Sequence, residues 1–443
     1  VQGVGGAVMF ATSLALIADA FRGRERGTAF GIYGAVIGGA VAIGPLVGGA
    51  LTTGVGWQWI FFVNVPIGIF AIVLTLTRVE RSKDPSGRRV DWMGFATFSG
   101  ALLLLVLALI RGDTDGWGSA LVVGLFAGAA LLLGVFVVAE ARQRAPMLDL
   151  SLFRRPAMIG VSAAAFCVSA SVFALFLYIT LYLQDDLGYG ALGAGLRFLP
   201  ISMLAFFVAP VAGKLTVRLD ARYMLGTGML LAGVACVLLS LVSRGSTWAV
   251  LIPGFLVGGV GIGMVNPVLA SSAVAVVRPE RSGMASGANN TFRQVGIATG
   301  IAALGTIFAS QIKTAVTSSL AATSVGRAVM SHAGASLATS LESGHVRTVT
   351  AHMPRGQAHA LLVAYQQGFA GAFDVISLVA AAIAFAGSLL AFVLVRERDF
   401  VVSQGHEGRP GGPASPEGAV DGPAPGAPAA PNGSGIASVP TPT

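Results

Sequence analysis

Charge is what this 443-residue sequence has least of: Asp, Glu, Lys and Arg together make up 11% of it, against about a quarter in soluble domains. With 54% apolar residues and a mean hydropathy of +0.78, a soluble globular fold is excluded. Cysteine is nearly absent as well. Cys167 and Cys236 lie inside apolar segments with no CxxC and no neighbouring His, which leaves them as small packing residues rather than a disulfide or a metal site. No P-loop, HExxH, GxSxG or dinucleotide fingerprint occurs in a plausible context, so no enzyme chemistry and no cofactor is expected. His345, His352 and His359 are seven residues apart, about 10.5 Å along a helix, too far to ligate one metal. The net charge of +8 is not a nucleic-acid patch, because the basic residues are scattered in short gaps between apolar runs.

Those runs are the dominant feature. Eleven stretches, near 1–18, 27–51, 58–77, 92–110, 118–139, 157–183, 191–212, 223–243, 248–277, 283–310 and 366–395, have about the 17–25 residues that a helix needs to cross a bilayer. A barrel of short alternating strands is excluded. Lys and Arg accumulate on the cytoplasmic side of membrane proteins. If Val1 starts outside, 20 of the 28 basic residues fall in the inner gaps and tail. The expected organisation is an all-α polytopic membrane protein with a cytoplasmic C-terminus. Residues 311–365 form a long outer loop, and the Pro/Gly/Ala-rich 397–443 is a disordered tail. An odd span count, an outside start and no initiating Met carry the expectation of further helices upstream.

The second run holds Gly31, Ala40, Gly44, Pro45, Gly48 and Gly49. Ala40, Gly44 and Gly48 are four apart, a stripe of small residues where a neighbouring helix backbone comes close, and Pro45 removes one backbone hydrogen bond. The order G-x8-A-x3-GP-xx-GG is similar to the antiporter signature of the major facilitator superfamily, with Ala40 where Gly is usual. QGVGGA (2–7), WQWIFFVNVPIG (57–68), GLRFLP (195–200) and SGMASGANNTFRQVGIATG (282–300) resemble stretches of its fourteen-helix drug:proton antiporters of EmrB/QacA type. The resemblance covers residues 1 to about 396 and implies that these spans are helices four to fourteen. It implies a remainder of the N-terminal bundle at 1–78, two extra linker helices at 79–156 and a six-helix C-terminal bundle at 157–396. It also implies a flexible hinge at the signature, and alternating access driven by a proton gradient. The cargo would be a hydrophobic or cationic drug-like molecule, exported by a monomer that needs only the lipid bilayer. The loop 213–222, GKLTVRLDAR, resembles the cytoplasmic gating loop; Gly213, Arg218 and Arg222 match it, while Asp220 stands where Gly is usual and Val217 where Asp is. A facilitator importing another solute and a non-transporting membrane sensor are the competing readings.

An ionisable residue near the bilayer centre costs about 2.5–3.5 kcal/mol on insertion scales, so its presence points to function. Arg293, Asp374 and Arg197 qualify. Arg293, flanked by Asn289 and Gln294, is the candidate cavity or proton-coupling residue, and Asp374 is balanced between that role and a boundary residue reaching to water. Arg197, near the outer face, is expected to be structural. Tyr178 is a candidate for the cavity wall, as is Asn266 in the Pro- and Gly-interrupted segment 252–268, which is expected to be a bent or broken helix.

Overall fold

A computed structural model of the chain describes residues 2–21, 23–79, 91–143, 146–216, 218–243, 245–277, 281–322, 326–327, 353–396 and 399–400. The expected disordered tail and most of the expected outer loop, with His332, His345 and His352, lie outside the described residues. All regular structure among the described residues is helical: α1 (Gln2–Ala20), α2 (Gly23–Gly54), α3 (Trp59–Phe62), α4 (Asn64–Arg78), α5 (Trp92–Asp115), α6 (Ala120–Arg142), α7 (Pro156–Val168), α8 (Ala174–Leu181), α9 (Ala191–Arg197), α10 (Leu199–Leu215), α11 (Ala221–Leu239), α12 (Ile252–Ala275), α13 (Ser282–Ala321) and α14 (Arg355–Leu394). Among the described residues, eight helical stretches are long and apolar enough to cross a membrane, nine if α9 and α10 count as one.

Proline decides where a span breaks, though not where the sequence points. α12 runs unbroken through Pro267, so 252–268 is not a broken helix. The interruption falls instead between α9 and α10, which meet at 43°. Pro200 lies in the first turn of α10, where it has no N–H to carry the helix of α9 onward. The span Pro156–Asp186 carries two π-helical turns, Ser169–Phe173 and Tyr182–Asp186, irregularities that often accompany function.

Glycine lets the helices of the C-terminal half meet backbone to backbone. A side chain on Gly259 would reach within 2.6 Å of the Ile201 carbonyl oxygen, and one on Gly263 within 2.9 Å of that of Ala205. Both belong to α10. Gly261, on another face of α12, stands as close to Gly228 of α11. Two apolar cores fill the space around these contacts. One is aromatic, with Tyr182 stacked on Phe369 and Phe373; the other gathers Met158, Met224, Leu225, Val268 and Val395. The free thiols of Cys167 and Cys236 are buried as packing residues, Cys167 against Gly387.

Both ends of the outer loop expected at 311–365 are helical. α13 and α14 each run for 40 residues, about 60 Å at 1.5 Å per residue, twice the hydrocarbon thickness of about 30 Å. Their extensions hold together because Ile312, Val316 and Leu320 continue the apolar stripe of α13 and bury it against Leu361, Ala364 and Tyr365 of α14.

Candidate functional site

The signature helix α2 lies against α9, α10 and α12. Its closest approach is not along Ala40, Gly44 and Gly48. Ala40 and Gly44 are exposed, and a side chain added at Gly44 or Gly48 would meet nothing within 4 Å. The neighbouring backbone arrives about a hundred degrees round the helix. A side chain on buried Gly49 would stand 2.6 Å from the Ala191 carbonyl oxygen, and Gly195 is pressed against the Pro45 carbonyl. A proline carbonyl on one helix and a glycine on the other fit each other because neither brings bulk to the seam. Further along α2, Gly34 stands as close to Pro267 of α12. Gly31 lies earlier in the same helix.

Where α2 and α9 diverge they leave a cleft of about 400 Å³. Its wall is apolar at Pro45, Phe176 and Phe198 and polar at Thr52, Thr180, Gln184 and Ser202. A mostly apolar concavity with a few polar groups is the usual form of a small-molecule site. Sequence reasoning missed Thr180 and Gln184. Their signal was two polar residues four apart, one face of a helix, in an otherwise apolar run.

A second polar neighbourhood forms around Tyr33 and Gly34. Tyr33 packs on Ala270 and Val274 of α12 and lies within electrostatic reach of Arg293 on α13. Arg293 is half-buried, with its guanidinium 5.7 Å from the Phe173 ring centroid in the first π turn, a cation over an aromatic face. Gly296 and Gly300 bring α13 against the backbone at Phe166 and Ala170, which sets that distance. Asn266 and Asn289 are 7% and 4% exposed, and Asn266 Oδ1 and Asn289 Nδ2 have no hydrogen-bond partner. Buried polar groups are ordinarily satisfied, so these two are exceptions to the rule. Gln294 is exposed.

Three expected residues sit elsewhere. Tyr178 is 4% exposed and donates its hydroxyl to the Ile301 carbonyl at 3.0 Å, with its ring beside Phe308 in the aromatic core. Asp374 is half-buried on α14 next to Phe373, whose ring stacks on Tyr182. Arg197 is a clamp, donating to the Gly193 carbonyl at 2.9 Å with its guanidinium 3.3 Å from the Tyr189 ring centroid.

In the 213–222 loop, Gly213 is buried and its carbonyl accepts from the Thr216 hydroxyl at 2.6 Å. Arg218 is exposed, and Arg222 donates to the Tyr223 hydroxyl at 2.7 Å. Asp220 stands at the N-cap of α11 with no side-chain cap bond. Among the described residues no ion pair forms in this loop. The long-range ion pair is Arg281 with Asp149, joining the start of α13 to the segment after α6. The Ser151 hydroxyl and then Arg281 hold the Asp149 carboxyl below the usual carboxylate range. Beside it, Arg155 donates to the Val276 carbonyl at 2.8 Å. Among the described residues no three His, Cys, Asp or Glu side chains gather as a metal site.

Long apolar helices joined by glycine seams define a multi-pass α-helical membrane protein. The chain belongs to the Major Facilitator Superfamily, which it matches over residues 1–301. It is 35% identical over 312 residues to the multidrug resistance protein Stp of Mycobacterium tuberculosis, covering 70% of this chain and 58% of that protein. It is 34% identical over 331 residues to a probable actinorhodin transporter of Streptomyces coelicolor, covering 72% and 57%. The chain thus spans a little under three fifths of the length of these curated relatives. A bacterial homologue of the human lysosomal transporter Spinster, in an inward-facing conformation, aligns over 89% of this chain and 87% of its own, with 16% identity and a TM-score of 0.41.

Proposed function

We propose that the protein is a secondary active exporter of hydrophobic or cationic small molecules, of the fourteen-helix drug:proton antiporter type. Residues 1–78 contribute helices four to six to the N-terminal bundle, 79–156 the two linker helices, and 157–396 the C-terminal bundle. Protons enter as cargo leaves, and the bundles rock about the seam by alternating access. The observation that carries this reading is the seat of Pro45 and Gly49 against Ala191 and Gly195 at the edge of the cleft. Helices that meet through carbonyls and glycines slide without unpacking large side chains, which suits a hinge. Two relatives are named for multidrug resistance and for transport of an antibiotic, which supports a drug-like cargo. The alternation of basic residues supports a cytoplasmic C-terminus.

Arg293, with Tyr33, Asn266 and Asn289, is assigned to the pathway or to coupling; Gln294 and Asp374 are secondary candidates. Gly213, Arg218, Asp220 and Arg222 are assigned to the gating loop. Deleting the gene that encodes this chain should raise ethidium accumulation in energised cells, and unchanged accumulation together with lost uptake of another solute would make it an importer. Arg293→Ala should lower proton-coupled export while membrane levels stay unchanged. Normal export by that variant removes Arg293 from the site.

A further inference from the structure

The two linker helices end in an unusual pairing of acids. Asp91 is the N-cap of α5, its Oδ1 accepting from Gly94 N at 2.8 Å and from Gln143 Nε2 at 3.0 Å. Glu140, in the last turn of α6, is 3% exposed, with Oε2 accepting from Leu148 N at 3.4 Å. Each carboxyl therefore has one oxygen held by N–H donors. The second oxygens, Asp91 Oδ2 and Glu140 Oε1, are buried without a partner. They converge on one point above Gly94, where a side chain would stand 2.7 Å from Glu140 Oε1 and nearer still to Asp91 Oδ2. Any residue but glycine at 94 would fill that space.

Two carboxylates that close together cannot both stay ionised in a buried setting without something positive between them. A divalent cation would ask for about six to eight oxygens, and no third acidic group joins the pair among the described residues. A single proton asks for two. We propose that Asp91 and Glu140 share one proton across this gap, so that a carboxyl donates to a carboxylate and fastens the foot of the α5–α6 hairpin to the loop that follows it. The Gly94 N–H holds the Asp91 carboxyl below its usual range, which makes Asp91 the carboxylate and Glu140 the acid.

Among the described residues few charges surround the pair. Gly94 of α5, Gln143, and the Met147 and Leu148 N–H groups that reach it from the loop are neutral. Arg142 is exposed on α6, and Asp149 and Arg281 pair with each other at the far end of the loop. Arg88, Arg89 and Arg144 lie outside the described residues. Because Leu148, whose N–H is held by Glu140 Oε2, adjoins Asp149 and its ion pair with Arg281 at the start of α13, the shared proton fastens the linker hairpin to the segment that meets α13. This assignment does not depend on what the protein carries.

The test is infrared difference spectroscopy of the purified protein in nanodiscs at neutral pH, wild type minus variant. A protonated-carboxyl carbonyl stretch present in wild type should vanish in Glu140→Gln and, independently, in Asp91→Asn, since in each the amide N–H supplies the bridging hydrogen. Thermal unfolding of wild type should also drop as pH rises through the pair's titration, above the ordinary Glu value of about 4.3, and the profile of Glu140→Gln should be flatter. No such band in wild type, or a band surviving in both variants, overturns the shared proton. A rise in the wild-type midpoint with Mg²⁺ or Ca²⁺ that both variants lose would make the occupant a cation and overturn it equally.

Discussion

In the most apolar stretch of Trp59–Arg78 no residue is buried, whereas in that of Pro156–Asp186 67% are. Both stretches are apolar enough to span a bilayer, at mean hydropathies of 2.3 and 2.2, so hydropathy does not separate them. Glycine does. Gly68 of the first stretch, like Gly3, Gly5, Gly6 and Gly54 before it, stands in open space, while Gly160 of the second stretch, like Gly233, Gly254, Gly296, Gly300 and Gly387 after it, meets a neighbour where a side chain would go. The lesson is that a small residue in a membrane helix is permission for close packing and becomes a constraint only where a partner takes it up. α2 belongs to both regimes, open at Gly44 and closed at Gly49.

The comparison breaks most sharply at Gly300, which is pressed against the backbone of Ala170. Gly300→Leu should cost about 3 kcal/mol, the upper end of overpacking, seen as a large loss of thermal stability in detergent. A stability like wild type would mean that α13 and the first π turn are not closely packed. Next comes the pair on α2. Gly49→Val should cost about 1–2 kcal/mol and impair export, while Gly44→Val should change stability by less than about 0.5 kcal/mol. Equal losses from both would erase the distinction between the two faces. The smallest effect is expected at Asp149, where the pair with Arg281 is partly exposed at 24% and 41% and so is worth under about 1 kcal/mol. Because the folded Asp149 carboxyl is held below its usual range, its contribution is complete above the ordinary Asp value of about 3.9 and is lost as pH falls through the folded one. Asp149→Asn should lower stability slightly at neutral pH and reduce the acid-side decline, which a melting series against pH would read.

Much of the fold is legible because apolar run length and the placement of Lys and Arg report directly on insertion into a bilayer. Facing is less legible. The spacing of Ala40, Gly44 and Gly48 identifies a smooth stripe, but only the position of α9 selects Gly49 as the contact. Tyr178 reads in sequence as one aromatic among many, and only the fold brings its hydroxyl to the Ile301 carbonyl. Pro267 and Pro200 look alike in sequence; one lies within α12 and the other begins a new helix. The end of α13 was obscured by Ser and Thr, although Ile312, Val316 and Leu320 carried the four-residue rhythm onward, and the start of α14 by Gly356, Gln357 and His359. Asp91 and Glu140 are 49 positions apart, and only the antiparallel closure of α5 on α6 makes them neighbours.

The joined length of α13 and α14 has a mechanical consequence. A rod about twice as long as the bilayer is thick, pivoting within the membrane, moves its far tip through a larger arc than any group inside the lipid. Rocking of the C-terminal bundle would therefore be magnified near Leu320 and Leu361, making that tip a pointer from which the state of the buried pathway can be read in water.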